Sequence, residues 1–104
     1  MINNDVNDIV EAITNKIEVV QIFLFGSYAY GDPNEYSDYD FYIVVSDNKE
    51  KITDIIIKIN KIVSKFTIIK PIDIISGKYS DFENQKVLPI IERTIYKKGV
   101  LLYG

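Results

Sequence analysis

Three aspartates are the residues of this chain whose type and spacing are best suited to chemistry. Asp38 and Asp40 stand two apart in Ser37-Asp38-Tyr39-Asp40, and Asp73 lies within Ile72-Asp73-Ile74-Ile75. On an extended strand, residues two apart project to the same face, so Asp38 and Asp40 point the same way, about 7 Å apart. If the strands that carry them are neighbours, the three carboxylates converge on one face of a sheet.

Clustered carboxylates repel one another and are costly to keep ionised without a cation between them. Mg²⁺ and Mn²⁺ meet this need because both take carboxylate and phosphate oxygens in octahedral geometry. Two such ions about 3.5–4 Å apart can clamp the attacking and leaving oxygens of a nucleotidyl transfer. The alternative is that each aspartate is a turn residue or a strand-end charge. That alternative is weaker for Asp73, because a carboxylate inside an isoleucine run needs a reason to be there.

The dipeptide Gly26-Ser27 is suited to holding phosphate groups. It follows an apolar run and precedes a predicted short helix, an arrangement in which backbone N–H groups receive an anion. Glycine lets a phosphate approach the main chain closely, and the Ser27 hydroxyl adds a donor. Taken alone, the pair is at least as well explained as a strand-ending turn with an N-cap serine. With the aspartates it forms the pattern Gly-Ser, ten residues, Asp-x-Asp, followed by a third carboxylate at Asp73.

The apolar residues predict an alternation of helices and strands that would position these side chains. Helical spacing of isoleucine and valine indicates helices, and short β-branched or aromatic runs indicate strands. The predicted order is a helix over 5–17 capped by Asp5, a strand over Val19–Phe25, a short helix over 28–31, a strand over Tyr39–Val45, a helix over Ile52–Val63, a strand over 68–75 with a break at Pro71, a helix over 88–96 ended by Gly99, and a last strand over Val100–Tyr103.

This order predicts an α/β (α+β) fold in which helices pack on one face of a small mixed β-sheet. The other face need not be covered, and a half-open sheet face is where a site could lie. The chain has 104 residues, the size of one domain, and no repeat or linker-like stretch interrupts it. We therefore treat residues 1–104 as a single domain.

The composition excludes several classes of catalyst. The chain has no cysteine and no histidine. Disulfides, thiolate chemistry, zinc sites of the Cys/His kind and Ser-His-Asp or Cys-His catalysts are therefore excluded. Any metal must be held by oxygen ligands, and any proton must be moved by a carboxylate, lysine, tyrosine or water.

The charge and hydropathy patterns restrict the partners. The formal net charge is −3 and the sequence pI is about 4.8, whereas nucleic-acid binders normally carry the opposite balance. We predict no stable nucleic-acid binding. No apolar run approaches the roughly 20 residues needed to cross a bilayer, and residues 1–8 are unlike a signal or transit peptide. We expect a cytoplasmic protein with no membrane partner.

The segment Leu24-Phe25-Gly26-Ser27-Tyr28-Ala29-Tyr30-Gly31, followed by Ser37-Asp38-Tyr39-Asp40-Phe41, closely resembles the nucleotidyltransferase superfamily of the DNA polymerase beta type. Within it, the shortness of the chain resembles the minimal (MNT) nucleotidyltransferases. The resemblance extends from the first helix to the closing Gly99-Val100-Leu101-Leu102-Tyr103. The motif is specific for the superfamily and unspecific for the substrate.

The resemblance implies a role for each candidate residue. Asp38 and Asp40 would be Mg²⁺ ligands shared with the nucleoside triphosphate. Asp73 would complete the metal site and favour deprotonation of the acceptor hydroxyl, so all three are both metal and catalytic residues. Gly26 and Ser27 would bind the β- and γ-phosphates. The implied reaction is in-line attack of a hydroxyl on the α-phosphorus of ATP, with pyrophosphate leaving.

The resemblance also implies a partner. Minimal nucleotidyltransferases are commonly encoded beside a small helical HEPN-domain protein, a ribonuclease toxin. The nucleotidyltransferase acts as antitoxin by transferring AMP to a tyrosine of that toxin. A helical partner or a homo-oligomer would then supply the acceptor surface.

One departure from the superfamily concerns the residues after Gly-Ser. Many members carry an arginine there, where this chain has Tyr28 and Tyr30. Its single arginine is Arg93, and Lys70 and Lys78 near the third strand are substitutes for the missing charge. Several tyrosines lie near the motif, and each either flanks adenine, lines a partner interface or packs as an ordinary residue of the fold. They are Tyr28, Tyr30, Tyr36, Tyr39 and Tyr42.

Two other functions remain open at this point. One is transfer of a nucleotide to a small-molecule hydroxyl, although relatives of that kind usually carry an additional helical domain. The other is a non-catalytic module that neutralises a toxin by occupancy, against which the intact Asp38, Asp40 and Asp73 argue. A nucleic-acid polymerase is the weakest interpretation, given the acidic balance.

Overall fold

The computed structural model of the chain describes residues 4–34, 37–67 and 70–104. Helices and strands alternate along it, as the apolar spacing predicts. In chain order the elements are α1 (Asn4–Thr14), β1 (Val19–Phe25), α2 (Ser27–Tyr30), β2 (Tyr39–Val45), α3 (Ile52–Val63) with a 3₁₀ turn (Ser64–Phe66), β3 (Ile72–Lys78), α4 (Tyr79–Gln85), α5 (Ile91–Lys98) and β4 (Val100–Tyr103).

The strands form one mixed sheet in the order β3-β2-β1-β4. Strand β1 pairs antiparallel with β2 and with β4, whereas β2 and β3 run parallel. A parallel pair needs a long crossover, which α3 provides. The mixed sheet predicted from the sequence is confirmed.

One face of the sheet is covered by α1 and α3. Each of these helices buries one apolar stripe, because residues three and four apart lie on the same side of a helix. Fully burying each such side chain contributes roughly 1.5–3 kcal/mol. The buried residues of this core are Val6, Ile9, Ile13, Ile22, Leu24, Tyr39, Phe41, Ile43, Val45, Ile55, Ile59 and Val63.

Helices α4 and α5 partly cover the opposite face of the sheet. They form a second helical layer in addition to the predicted one, which α1 and α3 form on the first face. Phe82 of α4 and Ile95 of α5 are fully buried against Phe23, Tyr42 and Val44. The Phe82 ring centroid lies 5.2 Å from that of Tyr42. The sequence did not predict this second layer, because α4 buries only one residue and has no apolar stripe. The half-open face is therefore restricted to the end of the sheet where β2 and β3 begin.

Other elements agree with the sequence prediction to different degrees. Strands β1, β2 and β4 and helix α3 have the predicted bounds. Strand β3 begins at Ile72, after Pro71, and continues to Lys78, while positions 68–69 of the predicted strand lie outside the described residues. Helix α5 begins at Ile91 rather than at position 88, because Ile90 is extended. Its C-cap is Gly99, whose N–H donates to Ile95 O at 2.8 Å.

No helix in the part of the chain that the structure describes is both long and apolar enough to cross a membrane.

Gly77 of β3 has no side chain, which leaves room for the Tyr42 hydroxyl beside it, and this close approach can be tested. A Cβ at position 77 would lie 2.8 Å from the Tyr42 hydroxyl oxygen, and that hydroxyl donates to Glu92 Oε2 at 3.1 Å. We expect Gly77→Ala to destabilise the fold by about 1–3 kcal/mol. Combined with Tyr42→Phe, the same substitution should cost nearly nothing beyond Tyr42→Phe alone. Urea unfolding of the four proteins measures the coupling, and an equal cost in both backgrounds would place the strain in the backbone instead.

Candidate active site

Asp40 and Asp73 are brought together by the register of the parallel pair β2–β3. Asp40 is the Cα partner of Asp73, one residue after the first pair of the ladder, Tyr39 with Ile72. Tyr39 and Phe41 are buried against α1 and α3. Alternation along the strand therefore places Asp40 on the opposite face, and its in-register partner Asp73 with it. Two of the three predicted ligands are thus neighbours on the half-open face.

Asp40 is electrostatically strained in the absence of a cation. Burial, followed by the negative charge of Asp73, a hydrogen bond with Asp73 and the charge of Asp38, raises the pKa of Asp40 to about 6. The carboxyl groups of Asp40 and Asp73 are therefore close enough to interact directly, and Asp38 lies close enough to add to the repulsion. A site of this kind favours either a proton or a cation.

Gly26 places the backbone of the predicted phosphate loop against Asp40. Phe25, the last residue of β1, is the register partner of Asp40, and the chain then turns at Gly26 with φ 73° and ψ −151°. A Cβ at position 26 would overlap the Asp40 Oδ2 atom. Glycine is required here for two reasons, its positive φ and the space that the carboxylate occupies.

Ser27 begins the short helix α2, and Gly26 is its N-cap. The Gly26 carbonyl accepts hydrogen bonds from the N–H groups of Ala29 and Tyr30, both at 3.0 Å. The alternative in which Ser27 itself is the N-cap is therefore wrong. Amides in the first turn of a helix have no intrahelical acceptor, so the Ser27 and Tyr28 N–H groups lie in the turn that an anion would approach.

The donor set fits a hard divalent cation, because it consists of carboxylate oxygens alone. The strained carboxyl of Asp40 is the observation that supports this fit. The structure assembles the set in part: within residues 4–34, 37–67 and 70–104, no group of three or more Asp, Glu, His or Cys side chains is arranged around a metal position. Asp40 and Asp73 form the pair, and Asp38 contributes charge from the residue before β2.

Lys70 is the basic side chain that the structure brings to this end of the sheet. Its Nζ lies 5.4 Å from the centroid of the Tyr28 ring and 5.8 Å from that of Tyr39. A hydrogen bond with the Tyr28 hydroxyl raises the pKa of Lys70, and the charge of Asp38 contributes less to the same shift. A cation is therefore present between α2 and the start of β2.

The other substitute for the missing arginine charge is held elsewhere. Lys78 is the last residue of β3, at the far end of the strand from Asp73, and donates to Asn48 O at 2.7 Å and Asn48 Oδ1 at 3.0 Å. Arg93 lies on α5. Of the candidate cations, Lys70 alone contacts the motif residues among those the structure describes.

The tyrosines predicted near the motif divide between packing and the surface. Tyr39 and Tyr42 are buried and Tyr28 packs partly buried against the α1–α3 core, whereas Tyr30 is 46% exposed. Tyr36 lies outside the described residues. The carboxylates lie at the surface, with Asp73 exposed and Asp38 and Asp40 half-buried. A cavity of about 380 Å³ lies between α1 and the 3₁₀ turn and one of about 580 Å³ along α5, both lined by other residues.

Comparisons with known proteins agree with this geometry. The model of the family described as "Nucleotidyltransferase domain" matches residues 6–102, a span that includes the aspartates and the Gly-Ser loop. The crystal structure of a candidate nucleotidyltransferase from Sulfolobus solfataricus is similar, with a TM-score of 0.57 and 26% sequence identity over 77% of this chain and 69% of that one. No curated protein matches the chain significantly in sequence.

The raised pKa of Asp40 predicts how the metal-free protein responds to pH. Its carboxyl titrates at 3.8 in an unperturbed state and at about 6 in the fold. Folding therefore disfavours the ionised form of this carboxyl. Its contribution to the free energy of unfolding is fully present below pH 4 and is lost as the pH rises towards 6. Asp40→Asn should remove this loss. At pH 7 without metal we expect the variant to exceed the wild type by about 1 kcal/mol, less than the full shift implies because solvent screens this partly exposed group.

Thermal melts at pH 4.5 and pH 7 in the presence of a chelator measure this difference. Asp8→Asn, on the exposed face of α1, is the charge-matched control and should show no comparable gain. A variant Asp40→Asn that is less stable than the wild type at pH 7 would show that Asp40 is a structural residue.

Proposed function

The chain belongs to the nucleotidyltransferase domain family, and from this premise we propose that it transfers AMP from ATP to a hydroxyl of a partner protein. The observation that carries the proposal is the pair Asp40 and Asp73. The two residues are in register on neighbouring strands, and the Gly26 backbone lies against Asp40. In this arrangement the phosphate-binding loop and the carboxylates adjoin one another.

In the proposed mechanism Asp38, Asp40 and Asp73 would hold Mg²⁺, with two ions expected and Mn²⁺ as a substitute. When bound, the metal would supply positive charge to offset that of the triphosphate and of the developing transition state. Burial, and after it the repulsion from Asp73 and Asp38, raises the pKa of Asp40, and a cation beside this carboxyl would relieve the repulsion.

Three groups are proposed to bind the triphosphate. The N–H groups at the start of α2 and the Ser27 hydroxyl donate to the β- and γ-phosphates. Lys70 supplies the positive charge that an arginine supplies in many relatives, and its hydrogen bond with Tyr28 fixes it beside the loop. Tyr28 thereby orients the cation.

The chemical step is an in-line displacement. The acceptor hydroxyl oxygen attacks the α-phosphorus of ATP, the bond from that phosphorus to the bridging oxygen breaks, and pyrophosphate leaves with the electron pair. Asp73 accepts the hydroxyl proton. The exposed side chain of Asp73 supports this role, whereas that of Asp40 is partly buried.

The proposed acceptor is a tyrosine of a helical HEPN-type toxin, so that the chain acts as an antitoxin in the cytoplasm. The open surface around the carboxylates supports a protein acceptor, because a side chain carried by another molecule can reach them. A homo- or hetero-oligomer is compatible with the same geometry.

Intact-mass spectrometry tests the reaction directly. The chain is incubated with the protein encoded beside it, with and without ATP and Mg²⁺. We expect the partner to gain one or more AMP units only when both are present. The variant Asp38→Asn/Asp40→Asn should form the complex and transfer nothing, because it lacks two of the proposed metal ligands.

Two results would contradict the proposal. A complex without any mass change would favour a module that acts by occupancy, and survival of toxin neutralisation in the double variant would establish that mechanism. Transfer to a small-molecule hydroxyl but not to the protein would keep the chemistry and change the acceptor.

The role of Lys70 can be tested against Lys78. We expect Lys70→Met to weaken Mg²⁺-dependent ATP binding by about tenfold, since one charged hydrogen bond to the triphosphate is lost. AMP binding should change little, because AMP lacks the β- and γ-phosphates. Lys78→Met is the matched control and should leave both affinities unchanged. Titration calorimetry of the wild type and the two variants measures the six constants, and equal losses for ATP and AMP would remove Lys70 from the triphosphate site.

A further inference from the structure

The groove along α5 is a surface that the proposed chemistry does not use. It has a volume of about 580 Å³ and is lined by Pro89, Ile90 and Ile91 where α5 begins and by Arg93, Lys97 and Lys98 along the helix. We call this surface the α5 groove.

One part of the α5 groove is apolar and exposed. Ile90 is 44% exposed and Ile91 45%, and they continue a run with Leu88 at 47% and Val87 at 69%. Four large aliphatic side chains at five consecutive positions are therefore in contact with water. A contiguous apolar patch of this kind marks an interaction site more often than scattered single residues do.

The other part of the α5 groove is basic, although the chain as a whole carries a net charge of −3. The ion pairs among the described residues join Lys58 to Glu50 and Lys86 to Glu83, so the cations of the groove are not used in them. Glu92, the one acidic residue of α5, is engaged by the Tyr42 hydroxyl at 3.1 Å. The groove therefore presents positive charge beside apolar side chains.

Helix α5, which carries the cations of the groove, contacts the sheet close to the candidate active site. Tyr42, which bonds to α5 through Glu92, is two residues from Asp40 on the same face of β2, a separation of about 7 Å. At the other end of α5, a Cβ on Gly99 would lie 3.3 Å from the carbonyl oxygen of Leu24, two residues before Gly26. Both ends of the helix thus contact strand residues adjacent to the site.

We infer that the α5 groove is the docking surface for an acidic, apolar helical segment of the protein that carries the acceptor hydroxyl. The inference rests on the proposed function for the identity of that protein, and on charge complementarity for the chemistry of the segment. The exposed aliphatic run favours a protein segment over a nucleic acid, because aliphatic side chains gain from burial against apolar surface, which a phosphate backbone does not present.

Helix α1 of a second copy of the chain does not provide the same match. The acidic face of α1 carries Asp8 and Glu11, and the described part of that helix has no exposed large hydrophobic residue beside them.

A defined peptide tests the docking chemistry without any nucleotide. The probe is a fluorescein-labelled amphipathic helix of about 18 residues, with leucines on one face and glutamates on the other, and the control peptide has lysines in place of the glutamates. By fluorescence anisotropy we expect the glutamate peptide to bind the wild-type chain and the lysine peptide not to bind. Affinity should fall about tenfold at high salt, because screening weakens the charge pairs.

Matched variants locate the site. Arg93→Glu/Lys97→Glu/Lys98→Glu should lower the affinity at least about tenfold. Val87→Ser/Ile90→Ser should do so as well, at little cost in stability because both side chains are exposed. The control Lys16→Glu/Lys61→Glu/Lys65→Glu makes the same change of charge in a second basic groove between α1 and α3, and it should bind as the wild type does.

The results separate this inference from the proposed function. Failure of the glutamate peptide to bind, equal binding of the lysine peptide, equal loss in the α1–α3 control, or binding of an oligouridine RNA through Arg93 would each overturn the docking inference. Mg²⁺-dependent ATP binding is measured on the same variants and should not change. If the peptide binds as expected while AMP transfer fails, the docking surface stands and the proposed reaction does not.

Discussion

Asp40 and Asp73 repel each other, and the register of two parallel strands holds them together despite that repulsion. The register is fixed by the residues on either side of Asp40, because Tyr39 and Phe41 fill the core under α1 and α3. A shift of β2 by one residue would turn Asp40 towards this core and the aromatic rings of Tyr39 and Phe41 away from it. The apolar core therefore imposes a cost on the carboxyl face, and under the proposed function a bound cation would remove that cost.

Gly26 is coupled to the same constraint. Its backbone occupies the space beside Asp40 Oδ2 that a side chain would fill, and its φ of 73° is one that other residues rarely adopt. The loop and the carboxylate consequently cannot be altered independently. Strand β1 contributes to this arrangement through Phe25, whose pairing with Asp40 brings the turn to the start of β2.

The sequence predicts the strands of this sheet well and its second helical layer poorly. Strands β1, β2 and β4 and helix α3 carry clear apolar periodicity, so their bounds follow from the residue pattern. Helix α4 could not be found in this way, because Phe82 is its single buried residue. The spacing of Asp38 and Asp40 predicts that both lie on one face, but only the pairing of β2 with β3 shows that Asp73 faces Asp40. The choice of Lys70 over Lys78 likewise depends on contacts between distant segments.

The basic side chains of this acidic chain are divided between separate tasks. Lys78 is held by Asn48, whereas Lys70 is held by Tyr28 beside the motif loop. The cations of α5 lie on a different element. That element contacts the sheet through Glu92 and Gly99, and not through the aspartates of the candidate site. Under the proposed function, the triphosphate and the partner protein are two anionic ligands that approach the same site. Because their binding charges lie on different elements, affinity for one can change without affinity for the other, and a substitution on α5 need not disturb the chemistry at Asp40.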